Sequence, residues 1–143
     1  AHSVDFNQEL NAREEIKIKL FLAHHQELKM DSVKSESGLR FMRYCHGIGP
    51  DLAKVGQEAI IRVRIELLDG RVCYETAKDE IERVVIAKSE KETGIHEALQ
   101  LMMKGDKAKL ILPSYLGHGL LGDRMKIPPQ SVLYIDLQLI DIK

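Results

Sequence analysis

The 143-residue chain has no tryptophan, and its three phenylalanines and four tyrosines amount to only 5% of the residues. Aromatic side chains dominate the walls of most peptide and small-molecule pockets. We therefore expect any pocket in this protein to be built largely from aliphatic side chains. No apolar run approaches the roughly 20 residues that a membrane-spanning helix requires, which argues against an integral membrane segment in this sequence.

Neither sign of charge is in clear excess, because 21 lysines and arginines stand against 22 aspartates and glutamates. Nucleic-acid binding normally requires a basic face that neutralises phosphates. The nearest candidate, Arg62 with Arg64, is interrupted by Glu66, so we expect no nucleic-acid partner. The two cysteines, Cys45 and Cys73, show no metal-ligand spacing, and they allow either one disulfide or two free thiols.

The histidines do not indicate a metal centre. His24 and His25 are adjacent, so on a helix their side chains diverge by about 100° and cannot share a metal ion. His46, His96 and His118 have no partner at a recognised ligand spacing. We expect neither a metal nor another cofactor.

The first 30 residues form a separate predicted unit, a helical extension. Residues 7–28 contain neither glycine nor proline, and helix-favouring residues are frequent. On a helix, the apolar residues crowd one side: Phe6, Leu10, Leu20, Phe21 and Leu28, widened by Ile18 and Leu22. This is more apolar surface than a solvated helix exposes, so we expect the helix to dock on its own domain or on a partner. A strand with alternating apolar residues over 16–22 is the competing interpretation.

Residues 31–37 are polar and are predicted to link this extension to a domain spanning residues 38–143. One domain with an appendage is also what the chain length suggests. Because the sequence begins with Ala1 rather than methionine, we expect a processed or trimmed chain from which a targeting segment has been removed.

Beyond Gly38 the sequence predicts strands and one helix. Apolar and charged residues alternate over 61–67, and Asp69-Gly70 then predicts a tight hairpin turn into residues 72–76. Further strands are predicted over 39–45, 107–112 and 133–139. The helix has apolar residues at helical spacing and a glycine as its stop signal: Ile95, Ala98, Leu99, Met102 and Gly105. The predicted class is α+β, an antiparallel twisted sheet wrapped over one helix.

Residues 113–131 form a long connection, rich in glycine and proline, between two predicted strands. Long loops in compact domains are usually functional or disordered, and the apolar residues of this one favour a site. Three of its glycines, Gly117, Gly119 and Gly122, have the spacing of a dinucleotide fingerprint. That motif must open a helix, which Pro128-Pro129 precludes, and no β-α-β unit is predicted here. The glycines more simply relieve strain in a tight loop.

A set of short segments between residues 38 and 143 follows, in order, the pattern of a known family. They are Gly56-Gln57, Leu68-Asp69-Gly70, Gly94, Ala98-Leu99, Met102, Lys104-Gly105-Asp106-Lys107-Ala108, Leu112-Pro113-Ser114-Tyr115, Gly119, Ile127-Pro128-Pro129-Gln130-Ser131-Val132-Leu133 and Asp136-Leu137-Gln138-Leu139-Ile140. With these residues the chain resembles the FKBP-type peptidyl-prolyl cis-trans isomerases, which implies an FKBP-like half-barrel.

A second set of segments is similar to the gliding-motility-associated FKBP lipoproteins of bacteria. It comprises Asn11-Ala12-Arg13-Glu14-Glu15, Asp31-Ser32, Ser37-Gly38-Leu39-Arg40-Phe41, Tyr74 and Gly119-Leu120-Leu121-Gly122-Asp123. This resemblance implies the bacterial cell envelope or periplasm, with a lipoprotein as the precursor. It also implies membrane attachment only through a lipid anchor that this chain does not carry.

The resemblance implies a reaction that needs neither nucleophile nor metal. An apolar pocket around the proline ring favours the twisted amide on the way across a barrier of roughly 18–20 kcal/mol. Matched to the family pattern, His118 and the backbone of Ile127 are implied to orient substrate carbonyls. The implied substrate-binding wall is Val63, Cys73, Tyr74, Ile95 and Ile135. Most aromatic positions of the family are replaced, so weak or narrow activity is expected.

Two functions remain open at this point. The first is a peptidyl-prolyl isomerase, or folding assistant, that acts on proline-containing peptide or protein segments. The second is a catalytically silent peptide-binding or chaperone module of the same fold. In the second case the N-terminal helix, residues 6–28, gives a homodimer, because helical extensions of this family often dimerise.

Overall fold

The computed structural model describes residues 2–30 and 35–143, and for residues 2–7 it describes the backbone alone. Helix α1 (His2–Ala23) precedes the sheet, and helix α2 (Thr93–Leu99) lies between its strands. The strands are β1 (Arg40–Cys45), β2 (Glu58–Leu67), β3 (Val72–Glu75), β4 (Glu82–Val85), β5 (Lys107–Leu112) and β6 (Leu133–Ile142). The predicted strands and the predicted class, α+β, are confirmed.

All strand pairs are antiparallel, in the order β1-β5-β6-β2-β3, and β4 also pairs with β2. Strands β3 and β4 share one edge of β2. The first pairs with residues 64–66 of β2, and the second pairs with residues 58–61. Between these two pairings, Val63 of β2 is hydrogen-bonded to Thr76, which lies in the segment that connects β3 with β4. This interruption creates the space for the site described below.

The concave face of the sheet packs against α2. Leu110 of β5, Ile135 of β6 and Ile65 of β2 stand side by side in register, and all three are fully buried. Gly94 lets α2 begin close to the sheet, since a Cβ atom there would lie 2.4 Å from the Cγ of Leu112. The register therefore converts the period-two apolar pattern into one core beneath the helix.

Helix α2 ends at Leu99, and the predicted continuation through Met102 to a stop at Gly105 was wrong. The amide of Met102 donates to the Leu99 carbonyl, three residues back, so the chain tightens into turns. Met102 is nevertheless fully buried. Gly105, at φ +93°, instead turns the chain into β5, and its amide donates to the Leu139 carbonyl at 2.8 Å.

Helix α1 packs on its own domain. Ile18 is fully buried against Ile111 and Val132 on the opposite face of the sheet from α2, and the strand interpretation of residues 16–22 was wrong. Leu10 is buried as predicted, but Leu20 is 57% exposed. The side chain of Phe6 lies outside the described residues.

The predicted helix over residues 7–28 ends earlier, at Ala23. The rings of His24 and His25 donate through Nδ1 to the carbonyls of Leu20 and Phe21, each at 2.8 Å, and satisfy acceptors of the last helical turn. Leu28 follows this end and is buried outside the helix. Among the described residues, no helix combines the length and apolarity needed to cross a bilayer.

Polar contacts fix α1 and the chain that follows it. The carboxylate of Glu15 accepts two hydrogen bonds from Arg40, at 3.1 and 2.9 Å. The predicted linker, residues 31–37, lies outside the described residues at 31–34. Its last part is anchored, because the hydroxyls of Ser35 and Ser37 donate to Glu97 on α2 at 2.8 and 2.9 Å.

Candidate functional site

A cavity of about 770 Å³ opens at the interrupted edge of β2. Val63 and Ile65 of β2 contribute to its lining, as do the residues of β3, the segment from β3 to β4, and Lys91 and Glu92 before α2. The long loop of residues 113–131, here called the pocket loop, supplies His118, Asp123 and Lys126. The loop predicted to carry a site therefore does border the cavity.

The sequence-predicted site residues divide into two groups. Val63, Cys73, Tyr74 and His118 line the cavity. The other three, Ile95, Ile127 and Ile135, are buried in the core cluster beneath the sheet and do not belong to the cavity lining. The roles assigned to these residues remain predictions.

The cavity is aliphatic only in part. Seven of its sixteen lining residues are charged: Glu75, Glu80, Glu82, Lys91, Glu92, Asp123 and Lys126. The expectation of a largely aliphatic pocket was wrong for these walls. It rested on the scarcity of aromatic residues, which gives no information about which polar residues the fold brings together.

Asp123 organises the end of the pocket loop. Its Oδ1 accepts hydrogen bonds from the amides of Met125, Lys126 and Ile127 at 2.9, 2.9 and 2.8 Å, and its Oδ2 accepts one from the Tyr74 hydroxyl. The Ile127 N–H, predicted to orient a substrate carbonyl, is thus already engaged. Gly122 makes the turn possible for two reasons. Its φ of +68° is a conformation that other residues rarely adopt, and a Cβ atom there would lie 2.2 Å from the Ile127 carbonyl oxygen.

These hydrogen bonds determine the charge of Asp123. Burial raises the pKa of its carboxyl group, but the bonds from Tyr74 and the three amides outweigh that effect and hold the pKa well below its usual range. The same bond to Asp123, together with burial, raises the pKa of the Tyr74 hydroxyl. Tyr74 is therefore a neutral donor fixed to a charged acceptor, with the Lys126 ammonium 5.1 Å from the centre of its ring.

Cys73 is a buried apolar contact of the cavity. Burial raises the pKa of its thiol, which disfavours the reactive thiolate. Its Sγ lies 3.5 Å from the Lys126 carbonyl oxygen. Cys73 and Cys45 are both free thiols, which decides between the two alternatives that the sequence left open.

His118 closes the cavity on the side of α2. Its Nε2 lies 2.7 Å from Oε2 of Glu92, a residue that is 8% exposed. The ammonium of Lys91 donates to Glu82 at 2.6 Å and lies 3.8 Å from Oε1 of Glu92. Within the described residues, Glu92 Oε1 is a buried oxygen without a hydrogen-bond partner.

Sequence reasoning identified His118 but assigned no role to Glu92 or Asp123. Glu92 lies 26 residues from His118, and Asp123 lies 49 residues from Tyr74, so no local spacing indicates either pair. Asp123 did carry one signal, since an aspartate followed by residues of a tight turn commonly accepts their amides.

The cavity combines buried apolar side chains with polar ones. The described residues contain no group of three or more side chains that could hold a metal ion, and the Sγ of Cys73 points to the carbonyl oxygens of Arg71 and Lys126. The buried side chains of Val63 and Ile65 can exclude water from an apolar ring, while His118 offers a polar group to a carbonyl.

Comparison with known proteins identifies the family. The family model of FKBP-type peptidyl-prolyl cis-trans isomerases matches residues 49–140. The macrophage infectivity potentiator of Trypanosoma cruzi is 34% identical over 113 residues, which cover 79% of this chain and 57% of that protein. The FKBP-type peptidyl-prolyl cis-trans isomerase FkpA of Buchnera aphidicola is 30% identical over 126 residues, which cover 87% and 48%. The chain thus spans about half the length of these curated relatives.

A solved structure agrees on the fold. FkpA from Escherichia coli superposes with a TM-score of 0.78 at 23% identity, over 99% of this chain and 64% of that one. The match includes the N-terminal helix as well as the sheet. The predicted FKBP-like fold is confirmed, whereas the closer resemblance to gliding-motility lipoproteins stays a prediction. Since the family model covers more than half of the sequence, the chain belongs to the FKBP-type peptidyl-prolyl cis-trans isomerase family.

Proposed function

We propose that this chain catalyses the cis-trans isomerisation of peptide bonds that precede proline. The observation that carries the proposal is the cavity at the interrupted edge of β2, which is lined by buried Val63 and Ile65 and by the polar side chain of His118. A proline ring placed on these aliphatic side chains loses its water shell. The cavity is open to solvent, so a peptide segment on either side of the proline can extend from it.

The mechanism is stabilisation of a twisted amide. The planar amide is held by resonance, and rotation has a barrier of about 18–20 kcal/mol. The twisted form is less dipolar, so it loses less hydration free energy than the planar form when water is excluded. In this proposal Val63, Cys73 and Tyr74 contact the substrate, and His118 donates a hydrogen bond to a substrate carbonyl. Buried Ile95 and Ile135 support the wall from below.

The Ile127 amide has a conditional part in this mechanism. It can orient a substrate carbonyl only when the Asp123 carboxylate gives up one of the four hydrogen bonds that it accepts. Three backbone donors lie next to one another around this acceptor, so a carbonyl entering the turn competes directly with the carboxylate.

The proposed activity is weak or narrow. Glu82, Lys91 and Glu92 line one wall, and burying charged groups against an apolar substrate carries a desolvation penalty. The same charges restrict which residues are accepted beside the proline, because like charges are rejected. A peptide is therefore favoured when its side chains avoid this wall or pair with it.

A protease-free isomerisation assay on short peptides with a single proline tests the proposal. We expect the intact chain to accelerate exchange above the uncatalysed rate. Replacing His118→Ala removes one hydrogen bond to the substrate, which corresponds to about a tenfold loss in kcat/KM. No acceleration by the wild-type protein sinks the proposal, and an unchanged kcat/KM in the variant removes His118 from the mechanism.

A second candidate is a silent peptide-binding or chaperone module that dimerises through α1. One observation favours it: Ile16 and Leu20, one helical turn apart on α1, are 60% and 57% exposed after the helix has packed on its own domain. Light scattering over a range of concentrations tests the dimer, and the double variant Ile16→Lys with Leu20→Lys should shift it to monomer. A monomeric wild-type protein at high concentration excludes this role for α1.

We also propose a location in the bacterial cell envelope or periplasm, with a lipoprotein as the precursor. The support is the resemblance to gliding-motility lipoproteins, together with bacterial relatives from Buchnera aphidicola and Haemophilus influenzae. Fractionation of the source cells, followed by an antibody against this chain, tests the location. Recovery with the cytoplasmic fraction contradicts it.

A further inference from the structure

We infer that Glu92 is a positioning residue that fixes the proton arrangement of His118, so that only the doubly protonated ring offers a hydrogen-bond donor to a peptide in the cavity. This inference rests on the proposed function, because its readout is isomerase activity. Glu92 has no role that local sequence spacing indicates, and its geometry with His118 implies a dependence of activity on pH.

The first step is the hydrogen bond between the two side chains. Nε2 of His118 lies 2.7 Å from Oε2 of Glu92. A carboxylate only accepts hydrogen bonds, so Nε2 must carry the proton and donate it. The alternative neutral form, with the proton on Nδ1, would place the Nε2 lone pair against the negative oxygen.

The second step concerns the hydrogen-bond donors and acceptors of the His118 ring. A neutral imidazole has one donor and one acceptor nitrogen, whereas the imidazolium has two donors. With Nε2–H committed to Glu92, the neutral ring presents Nδ1 as an acceptor. Among the described residues, Nδ1 of His118 enters no hydrogen bond, and the side chain is 29% exposed at the cavity. Neutral His118 therefore repels a carbonyl oxygen, while protonated His118 donates to it.

Glu92 is held in place for this role. It is 8% exposed and stands directly before the first residue of α2. The ammonium of Lys91, itself bonded to Glu82 at 2.6 Å, lies 3.8 Å from the second carboxylate oxygen and attracts its negative charge. Because Glu92 Oε1 has no hydrogen-bond partner among the described residues, His118 is the main polar contact of this carboxylate.

Three other titratable groups of the cavity have pKa values that are shifted away from neutrality. The pKa of Asp123 is held well below its usual range, and the pKa values of Tyr74 and Cys73 are raised. Between about pH 5 and 8, the range in which histidine changes charge, Asp123 therefore stays ionised and Tyr74 and Cys73 stay neutral. The other charged side chains that line the cavity are Glu75, Glu80, Glu82, Lys91 and Lys126, together with Glu92 itself.

The expected signature is a kcat/KM that decreases as the pH rises. As His118 loses its second proton, the donor to the substrate disappears, and one hydrogen bond to a charged donor corresponds to about a tenfold decrease. In Glu92→Gln, the carboxamide can donate its own N–H to Nε2 of His118. The neutral ring of this variant then carries its proton on Nδ1 instead of Nε2. That variant should retain a donor at every pH and vary less than about twofold over the same range.

The control is Glu90→Gln, which removes one negative charge at an exposed site two residues away and should keep the wild-type profile. A purely structural role for Glu92 would lower activity by the same factor at every pH. Parallel profiles for wild type and Glu92→Gln therefore overturn the inference, as does a wild-type profile that is flat. If the wild-type protein shows no catalysis at all, the proposed function fails instead.

A second measurement does not depend on activity. In protein with ¹⁵N-labelled histidine, the shifts of the two ring nitrogens identify which one carries the proton, and His118→Asn assigns the signals. We expect the Nε2–H form at pH 8 in the wild type and a shift towards the Nδ1–H form in Glu92→Gln. A predominant Nδ1–H form in the wild type contradicts the arrangement, whatever the isomerase assay shows.

Discussion

Helix α1 is joined to the pocket loop through one buried carboxylate. Glu14 is 4% exposed, and its two carboxylate oxygens accept hydrogen bonds from the amide and the hydroxyl of Ser114, each at 2.6 Å. Ser114 is also buried and stands at the start of the loop that carries His118. Replacing Glu14→Ala leaves the buried Ser114 amide without an acceptor, so this change should weaken the attachment of α1 to the domain.

The magnitude follows from what the variant leaves unpaired. A buried donor without a partner costs about 1–3 kcal/mol, and hydrogen bonds to a charged acceptor lie in the upper part of that range. We expect the free energy of unfolding to fall by about 2–3 kcal/mol and the Tm by about 5–10 °C. Urea denaturation followed by circular dichroism measures the first quantity, and a thermal scan measures the second.

The same helix provides a matched control. Glu9 pairs with Arg13 at 2.9 Å, but both side chains are exposed, so Glu9→Ala should change the unfolding free energy by less than about 0.5 kcal/mol. If Glu14→Ala and Glu9→Ala are equally mild, the buried contact does not hold α1 to the pocket loop. The reasoning from burial would then be refuted for this pair.

Three further predictions concern other parts of the chain. The difference in unfolding free energy between wild type and Asp123→Asn should shrink as the pH falls below about 3.9, because a carboxyl with a lowered pKa stabilises the fold only while it is ionised; a constant difference in urea titrations contradicts this. Gly94→Ala should destabilise the protein by about 1–3 kcal/mol, since its Cβ meets Leu112, and an unchanged urea midpoint would show that the helix shifts freely. Cys45 is exposed and should react with a thiol reagent in the native state, whereas buried Cys73 should react only on unfolding; equal rates would refute the assigned burial.

The sequence predicts the parts of this fold that depend on local pattern. The alternation over residues 61–67 and the Asp69-Gly70 turn predict the hairpin of β2 and β3, because side-chain period and turn chemistry both act over a few residues. Helix ends were less predictable. The end of α1 at Ala23 depends on two histidine rings that bond to carbonyls, and sequence spacing does not reveal which way those rings turn.

The candidate site was predictable only in its location. The length and apolar content of residues 113–131 indicated where a site would form, and the family resemblance brought His118 to attention. The contacts that define its chemistry join residues far apart in the chain, such as Glu92 with His118 and Glu14 with Ser114. Such pairs form where a helix or the segment before it meets the pocket loop in the folded chain, and no local pattern specifies them.

The most direct test of the proposed function is an exchange NMR spectrum of a short proline peptide, recorded with and without a catalytic amount of the wild-type chain. The proposal predicts cross-peaks between the cis and trans forms that appear only when the protein is present. Shifts of the peptide signals without exchange cross-peaks would indicate a silent binding module. A spectrum without any shifts and without any cross-peaks would contradict the proposal that the cavity beside β2 acts on proline peptides.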